Sequence, residues 1–148
     1  ESAEIGHQID KETYDAAVPE LRQALLEAQL ELIEQAKGCL TLTRHPDGCL
    51  LVYPRPEWEV KREQIAAFPM SARALQRLLL GNAQDVELDG SGRILVAPEL
   101  RASAGFTRDV MLLGMGAHFE LWDAAALARR EAADLSQGMG DVLNQFSF

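Results

Sequence analysis

The sequence predicts an α+β protein in which two related β-hairpin half-domains follow a long amphipathic helix. Three patterns predict this. An apolar stripe at helical spacing runs from Ala17 to Ala36, the period changes to two after Gly38, and the hairpin pattern recurs about 70 residues further on.

The first element is carried by Val18, Leu21, Leu25, Ala28 and Leu32, which recur at steps of three and four with glutamates and glutamines between them. Leu26, Leu30 and Ile33 widen the stripe, so this helix suits a bundle or a docked position better than a lone surface one. Lys37-Gly38 ends it, since glycine supplies the left-handed conformation common at helix ends. Leu40-Thr41-Leu42-Thr43 then alternates as a strand, His45-Pro46-Asp47-Gly48 turns, and Leu50-Leu51-Val52-Tyr53 returns as a second strand. Pro54-Arg55-Pro56 stops the hairpin, and Pro56 opens a helix with Glu57 and Glu59 in its first turn, at the positive dipole end. Ser71 is placed to cap a further helix that runs through Leu80 to Gly81.

The second half replays this order. Val86-Glu87-Leu88 reads as a strand, Asp89-Gly90-Ser91-Gly92 as a tight turn, Ile94 to Ala97 as a strand, and Pro98 as the start of a short helix. Val110 to Leu113 and His118 to Trp122 flank Gly114-Met115-Gly116 as another hairpin, Trp122-Asp123 leads into a helix, and the tail after Gly138 reads as a final helical turn. Trp58 and Trp122 are expected to be equivalent core anchors of the two repeats. The resulting division is an acidic helical segment over 1–36, a first repeat over 37–81, a second over 82–126 and a helical tail over 127–148.

At 148 residues and 47% hydrophobic content, the chain has enough apolar material for one compact core. No apolar run approaches the roughly 20 residues that cross a bilayer, and the start lacks a basic segment followed by an apolar one, so the expectation is a cytoplasmic chain without a membrane partner. Cys39 and Cys49 have no close-spaced His or Cys partners, which predicts reduced thiols and no metal, with a disulfide as the less favoured alternative.

The net charge of -9 speaks against nucleic acid at first sight, because lysine and arginine drive binding to a phosphate backbone. Its distribution changes the argument. Residues 1–36 hold nine acidic and two basic side chains (-7), whereas residues 37–148 hold fourteen and twelve (-2). A near-neutral remainder can present a local basic face, particularly when an oligomer repeats it.

The sharpest local signal is Leu88-Asp89-Gly90-Ser91-Gly92-Arg93, followed by Ala97-Pro98-Glu99-Leu100-Arg101. Asp89 is positioned to hydrogen-bond the backbone of its own turn, the glycines permit positive φ, and Arg93 projects at the junction of loop and strand. An arginine held in this way suits phosphate, or guanine O6 and N7 met by its planar fork. The same pattern also fits a plain hairpin turn whose arginine pairs with Asp89.

The stretches 38–59 (GCLTLTRHPDGCLLVYPRPEWE), 73–101 (RALQRLLLGNAQDVELDGSGRILVAPELR) and 110–123 (VMLLGMGAHFELWD) resemble the MraZ family over about residues 37–148. The resemblance implies an AbrB-like swapped-hairpin β-barrel of two repeats, each with a D-x-x-x-R motif. It also implies ring-shaped homo-oligomers, double-stranded DNA as partner, repeated promoter sequences in the division and cell-wall gene cluster as target, and nucleoid association. Carried over, it assigns DNA binding to Asp89, Gly92, Arg93 and Arg101, with Pro98 completing the pattern. The first repeat departs from this. Ile9-Asp10 to Pro19-Glu20-Leu21-Arg22 overlies Leu88-Asp89 to Pro98-Glu99-Leu100-Arg101 without a gap, but Thr13 replaces Gly92 and Tyr14 replaces Arg93. Weakened DNA binding is the expected result. Residues 4–36 also resemble the leading helix of family-2 polyphosphate kinases, yet no phosphate-cradling G-x-x-x-x-G-K loop follows.

The remaining constellations point to no chemistry. His7, His45 and His118 are scattered, no G-x-S-x-G elbow is present, and Gly114-x-Gly116 lacks the setting of a dinucleotide site. No enzyme, cofactor or small-molecule substrate is expected. A DNA-binding regulator is the leading reading, a non-DNA-binding oligomeric interaction module built on the acidic helix is the alternative, and a polyphosphate-kinase fragment is the third.

Overall fold

A computed structural model describes residues 38–138, which form one antiparallel sheet of five strands flanked by four α-helices. The α+β class expected from the sequence is the one observed. The expected N-terminal helix and the turn after Gly138 lie outside the described residues.

β1 (Cys39–Arg44) and β2 (Leu50–Pro54) pair from Leu40↔Pro54 to Arg44↔Leu50. Their turn closes where the His45 amide donates to the Cys49 carbonyl at 3.0 Å, and Gly48 takes φ +93°, a conformation that favours glycine. Proline then ends the ladder, and α1 (Arg55–Ala66) begins at once with Pro56 in its first turn, where a missing N–H costs no helical bond. Trp58 and Ile65, two turns apart on one face, are its buried residues.

Ser71 does not cap the next helix. It lies inside a 3-10 turn (Met70–Ala72), and α2 (Arg73–Gly81) starts after Ala72 with no side-chain cap. The Thr43 hydroxyl, fully buried, donates to the Leu79 carbonyl and ties the end of α2 to β1. β3 (Gln84–Glu87) then pairs antiparallel with β1.

From Leu88 to Ala97 the chain forms no strand, contrary to the expectation for Ile94 to Ala97. The period-two placement of side chains survives: Ile94 and Val96 pack on the core while Leu95 is 81% exposed. What is missing is a hydrogen-bonding neighbour among the described residues, and an extended segment without one is not a strand. α3 (Pro98–Ser103) follows, then β4 (Val110–Gly114), β5 (Phe119–Asp123) and α4 (Ala124–Gln137), whose first turn is capped by Asp123.

The strand order is β3-β1-β2-β5-β4. This sheet is open, with β3 and β4 at its edges, so the expected closed barrel is not formed by the described residues. One face carries Leu40, Leu42, Leu50, Val52 and Leu121, covered by Leu100 and Ala104 from the α3 region. On the opposite face, Leu51 and Tyr53 pack with Trp58, Ile65 and Leu79 from α1 and α2. Trp122 packs there with Cys49 and Leu127 of α4.

Both tryptophans are buried anchors, but they are not equivalent. Trp58 is the fourth residue of a helix and Trp122 the fourth of a strand, so the positional counterpart of Trp58 is Leu127.

Candidate functional site

The turn after β3 is organised by one carboxylate. Asp89 Oδ1 accepts from the amides of Ser91 (2.8 Å) and Arg93 (2.9 Å), while Oδ2 accepts from Arg93 Nε at 2.8 Å. The backbone closes the same loop, with the Asp89 amide donating to the Arg93 carbonyl (2.8 Å) and the Gly92 amide to the Asp89 carbonyl (2.9 Å). Aspartate is suited to this because its short side chain reaches the amides two and four residues on. Gly92 has φ +73°, and a Cβ there would meet nothing within 4 Å, so glycine is required by conformation and not by space.

These contacts hold the Asp89 carboxyl below the usual carboxylate range, first through the Arg93 amide, then the Ser91 amide, with the Arg93 guanidinium adding to them. Arg93 is paired with this carboxylate yet is 77% exposed. Among the described residues, its guanidinium is engaged through Nε. Nη1 and Nη2 carry no partner among the described residues, so the outer edge of the fork is available for two further hydrogen bonds. The plain-turn pairing and a presented arginine therefore coexist in one geometry.

Arg101 lies in the last turn of α3, exposed, and makes no ion pair among the described residues. The neighbouring Leu100 is 2% exposed and fixes the helix to the sheet. The structure brings Asp89, Gly92 and Arg93 into one turn. Arg101 sits on a separate element joined to that turn by the extended segment.

Sequence reasoning missed a polar network on the other face. The Thr41 hydroxyl donates to Asp85 at 2.7 Å, Asp85 also accepts from Arg55, and Arg55 Nε donates to Glu59 at 2.8 Å. Asp85 is held below the usual carboxylate range chiefly by the Thr41 hydroxyl. The i,i+4 spacing of Arg55 and Glu59 was the only part visible in the sequence. A second missed group is Asp123, whose Oδ1 accepts from both the amide and the hydroxyl of Thr107 (3.1 and 2.9 Å) while Oδ2 takes the Ala126 amide at 3.1 Å.

The two described histidines, His45 and His118, sit in local packing and turn contacts. His45 Nδ1 accepts from the Asp47 amide inside its turn, and His118 stacks on Tyr53 at 4.8 Å, where burial lowers its pKa. Cys39 and Cys49 are free thiols, as the sequence favoured. A cavity of about 240 Å³ lies between β2, α1 and α2, with Tyr53, Trp58, Ile65, Phe68, His45 and Lys61 among its lining residues. None of the residues of the Asp89 turn lines it. No described helix is long and apolar enough to cross a membrane.

The family model of the MraZ protein, described as antitoxin-like, matches residues 79–137, a span that contains the Asp89 turn, α3 and the second hairpin. The Transcriptional regulator MraZ of Bordetella pertussis is 84% identical over 117 residues, covering 79% of this chain and 82% of that protein. Its namesakes from Janthinobacterium sp. and Cupriavidus taiwanensis are 68% and 59% identical over the same coverage. Taken with an α+β fold that presents an arginine from a carboxylate-fixed turn, these relatives define the class: a transcriptional regulator, which is not a class of enzyme. The identities lie far above what chance similarity gives, and the match extends well beyond a single motif. This chain belongs to the MraZ family.

Proposed function

We propose that the chain regulates transcription by binding double-stranded DNA through the Asp89 turn. Arg93 meets guanine or phosphate with its free Nη edge, Asp89 and Gly92 set its direction, and Arg101 meets phosphate nearby. The single observation that carries this reading is an arginine 77% exposed yet fixed at its Nε and its amide by one carboxylate. A prepaid geometry of this kind lowers the ordering cost of binding. Repeated promoter sequences in the division and cell-wall gene cluster are the target that this reading assigns, with the protein in the cytoplasm at the nucleoid.

One arginine contributes about 1–3 kcal/mol of base discrimination. Affinity therefore comes from repetition: a homo-oligomeric ring offers several copies to tandem sites and raises the effective concentration of each. With Thr13 and Tyr14 in the first repeat's positions, each subunit offers one complete D-x-x-x-R motif. Binding is then weaker and more salt-sensitive than with two.

The test is a titration against DNA carrying tandem promoter repeats and a scrambled control, at two salt concentrations. Specific binding that weakens with salt, and that Arg93→Ala weakens further, supports the reading. Equal or absent binding to both DNAs favours the alternative, an oligomeric interaction module, for which the exposed Leu95, Val110, Met111 and Leu112 speak.

A further inference from the structure

The cavity between β2, α1 and α2 has a composition that selects a ligand. Three aromatic side chains, Tyr53, Trp58 and Phe68, line it together with three leucines, one isoleucine and one proline. Lys61 and His45 supply its basic nitrogens, and no carboxylate lines it among the described residues. Pro46 and Leu75 are lining residues that are exposed, so the cavity opens to solvent.

Two hydrogen-bond donors in the aromatic wall lack a protein partner. Tyr53 stacks on His118 at 4.8 Å and meets the tilted Trp58 ring at 5.6 Å between centroids. Tyr53 and Trp58 are 5% and 3% exposed. Buried tyrosine hydroxyls and indole N–H groups ordinarily find a hydrogen-bond partner. Trp122 Nε1 does so, donating to Glu120 at 2.9 Å, whereas the Tyr53 hydroxyl and Trp58 Nε1 have none among the described residues. No polar side-chain atom sealed from solvent is left without a partner, so both donors retain access to solvent, and this cavity is the opening that both side chains line.

The charge available to a ligand has one sign. Lys61 Nζ donates to the neutral Gln64 Oε1 at 3.0 Å and makes no ion pair among the described residues. Acidic groups nearby are already engaged: Asp47 pairs with His45 at 3.7 Å and with Arg130 at 3.3 Å, and Glu120 takes the Trp122 indole. An anion in the cavity meets an ammonium that no neighbouring carboxylate neutralises.

Size and charge then define the class. An apolar cavity of roughly 150 Å³ takes one benzene ring, and drug-sized ligands need roughly 300–1,000 Å³. At about 240 Å³ the cavity suits one ring with a short acidic arm. A carboxylate matches the single lysine, whereas a dianionic phosphate would carry a second charge out of water without a partner. We propose that this cavity binds a single-ring aromatic carboxylate, its ring against Tyr53, Trp58 and Phe68 and its carboxylate on Lys61 and the Tyr53 and Trp58 donors. The inference is independent of DNA binding, because no residue of the Asp89 turn lines the cavity.

The probe is phenylacetate, titrated into the full chain by calorimetry. A Kd on the order of 1 mM is expected for a ligand of about ten non-hydrogen atoms. The neutral isostere phenylacetamide and the ringless acetate are expected to bind about ten-fold more weakly or worse, and Lys61→Met to weaken phenylacetate about ten-fold while leaving phenylacetamide unchanged. Fluorine NMR of the chain labelled with fluorotryptophan locates the site. The Trp58 resonance is expected to shift with occupancy, while that of Trp122, whose N–H is already held by Glu120, stays in place. Leu75→Trp, at an exposed lining residue, is expected to fill the cavity and abolish binding. The absence of saturable binding, equal affinity for phenylacetamide, a shift confined to Trp122, or undiminished affinity in Leu75→Trp overturns the proposal. Should either variant not fold, the three probes on the unaltered chain and the two tryptophan resonances decide.

Discussion

Asp89 and Arg93 are joined three times: amide to carbonyl in one direction, amide to Oδ1 in the other, and guanidinium Nε to Oδ2. The consequence is that the position of the arginine depends on a carboxylate that itself need not touch DNA. Arg93→Ala is expected to remove about 1–3 kcal/mol of discrimination per subunit. That is a fall in affinity of roughly five- to 150-fold for each engaged copy. Asp89→Ala should weaken binding through loss of the turn, while Asp89→Asn keeps the amide contacts and should lose less. Fluorescence anisotropy with labelled tandem-repeat DNA ranks the three, and an Asp89→Ala protein that binds as well as the parent removes the carboxylate from the argument.

Stability should fall on acidification, and the sign follows from two carboxylates. Asp123 is held below its ordinary range first by the Thr107 hydroxyl, then by the amides of Thr107 and Ala126, and Asp89 is held there by its own turn. A depressed carboxyl binds its proton less readily folded than unfolded, so its contribution is fully present above the unfolded value near pH 4 and disappears as pH falls through the folded one. Melting temperatures at pH 7, 5 and 3 should be level between the first two and drop at the third. Asp123→Asn should lower the value at pH 7 and shrink the acid-induced drop; an undiminished drop would locate the acid sensitivity elsewhere.

The buried thiol and the half-buried one should differ in reactivity. Burial pushes the Cys49 thiol up to about 12, with the neighbouring Glu120 charge acting in the same direction, and Cys49 is 2% exposed against Trp122 and Leu127. At pH 8 its thiolate fraction is then on the order of one in ten thousand. A thiol-reactive disulfide reagent should label Cys39 first and Cys49 only after denaturant is added, as read by intact mass. Rapid labelling of both in the native protein would contradict the packing of the third core cluster.

The hairpins were legible because period-two alternation, proline stops and glycine turns are local signals, and β1, β2, β4 and β5 fall within a residue or two of their expected bounds. The Asp89 turn was legible for the same reason, since all of its bonds span four residues or fewer. Contacts between distant segments were not. Thr41 meets Asp85 across 44 positions, and Thr43 meets Leu79 across 36, with no local periodicity to announce either. Ile94 to Ala97 shows the limit of pattern: alternation sets which side chains face the core, but a strand also needs a neighbour. Ser71 failed as a cap because a 3-10 turn, not a helix start, follows Pro69.

Leu100 and Arg101, adjacent on α3, should separate stability from DNA affinity. Leu100 is 2% exposed, and its truncation to alanine opens a cavity under the first hairpin. The cost of such a change is about 2–5 kcal/mol. Arg101 is exposed and without an ion pair among the described residues, so Arg101→Ala should leave the denaturant midpoint unchanged, as should Met70→Gln at a residue 75% exposed. If Arg101 meets phosphate, its loss should weaken binding to promoter and scrambled DNA alike and reduce the salt slope by about one. Urea unfolding and salt titrations on the same two variants give both readings. A shifted midpoint in Arg101→Ala would turn that arginine into a packing residue, and an unchanged salt slope would take it out of the interface.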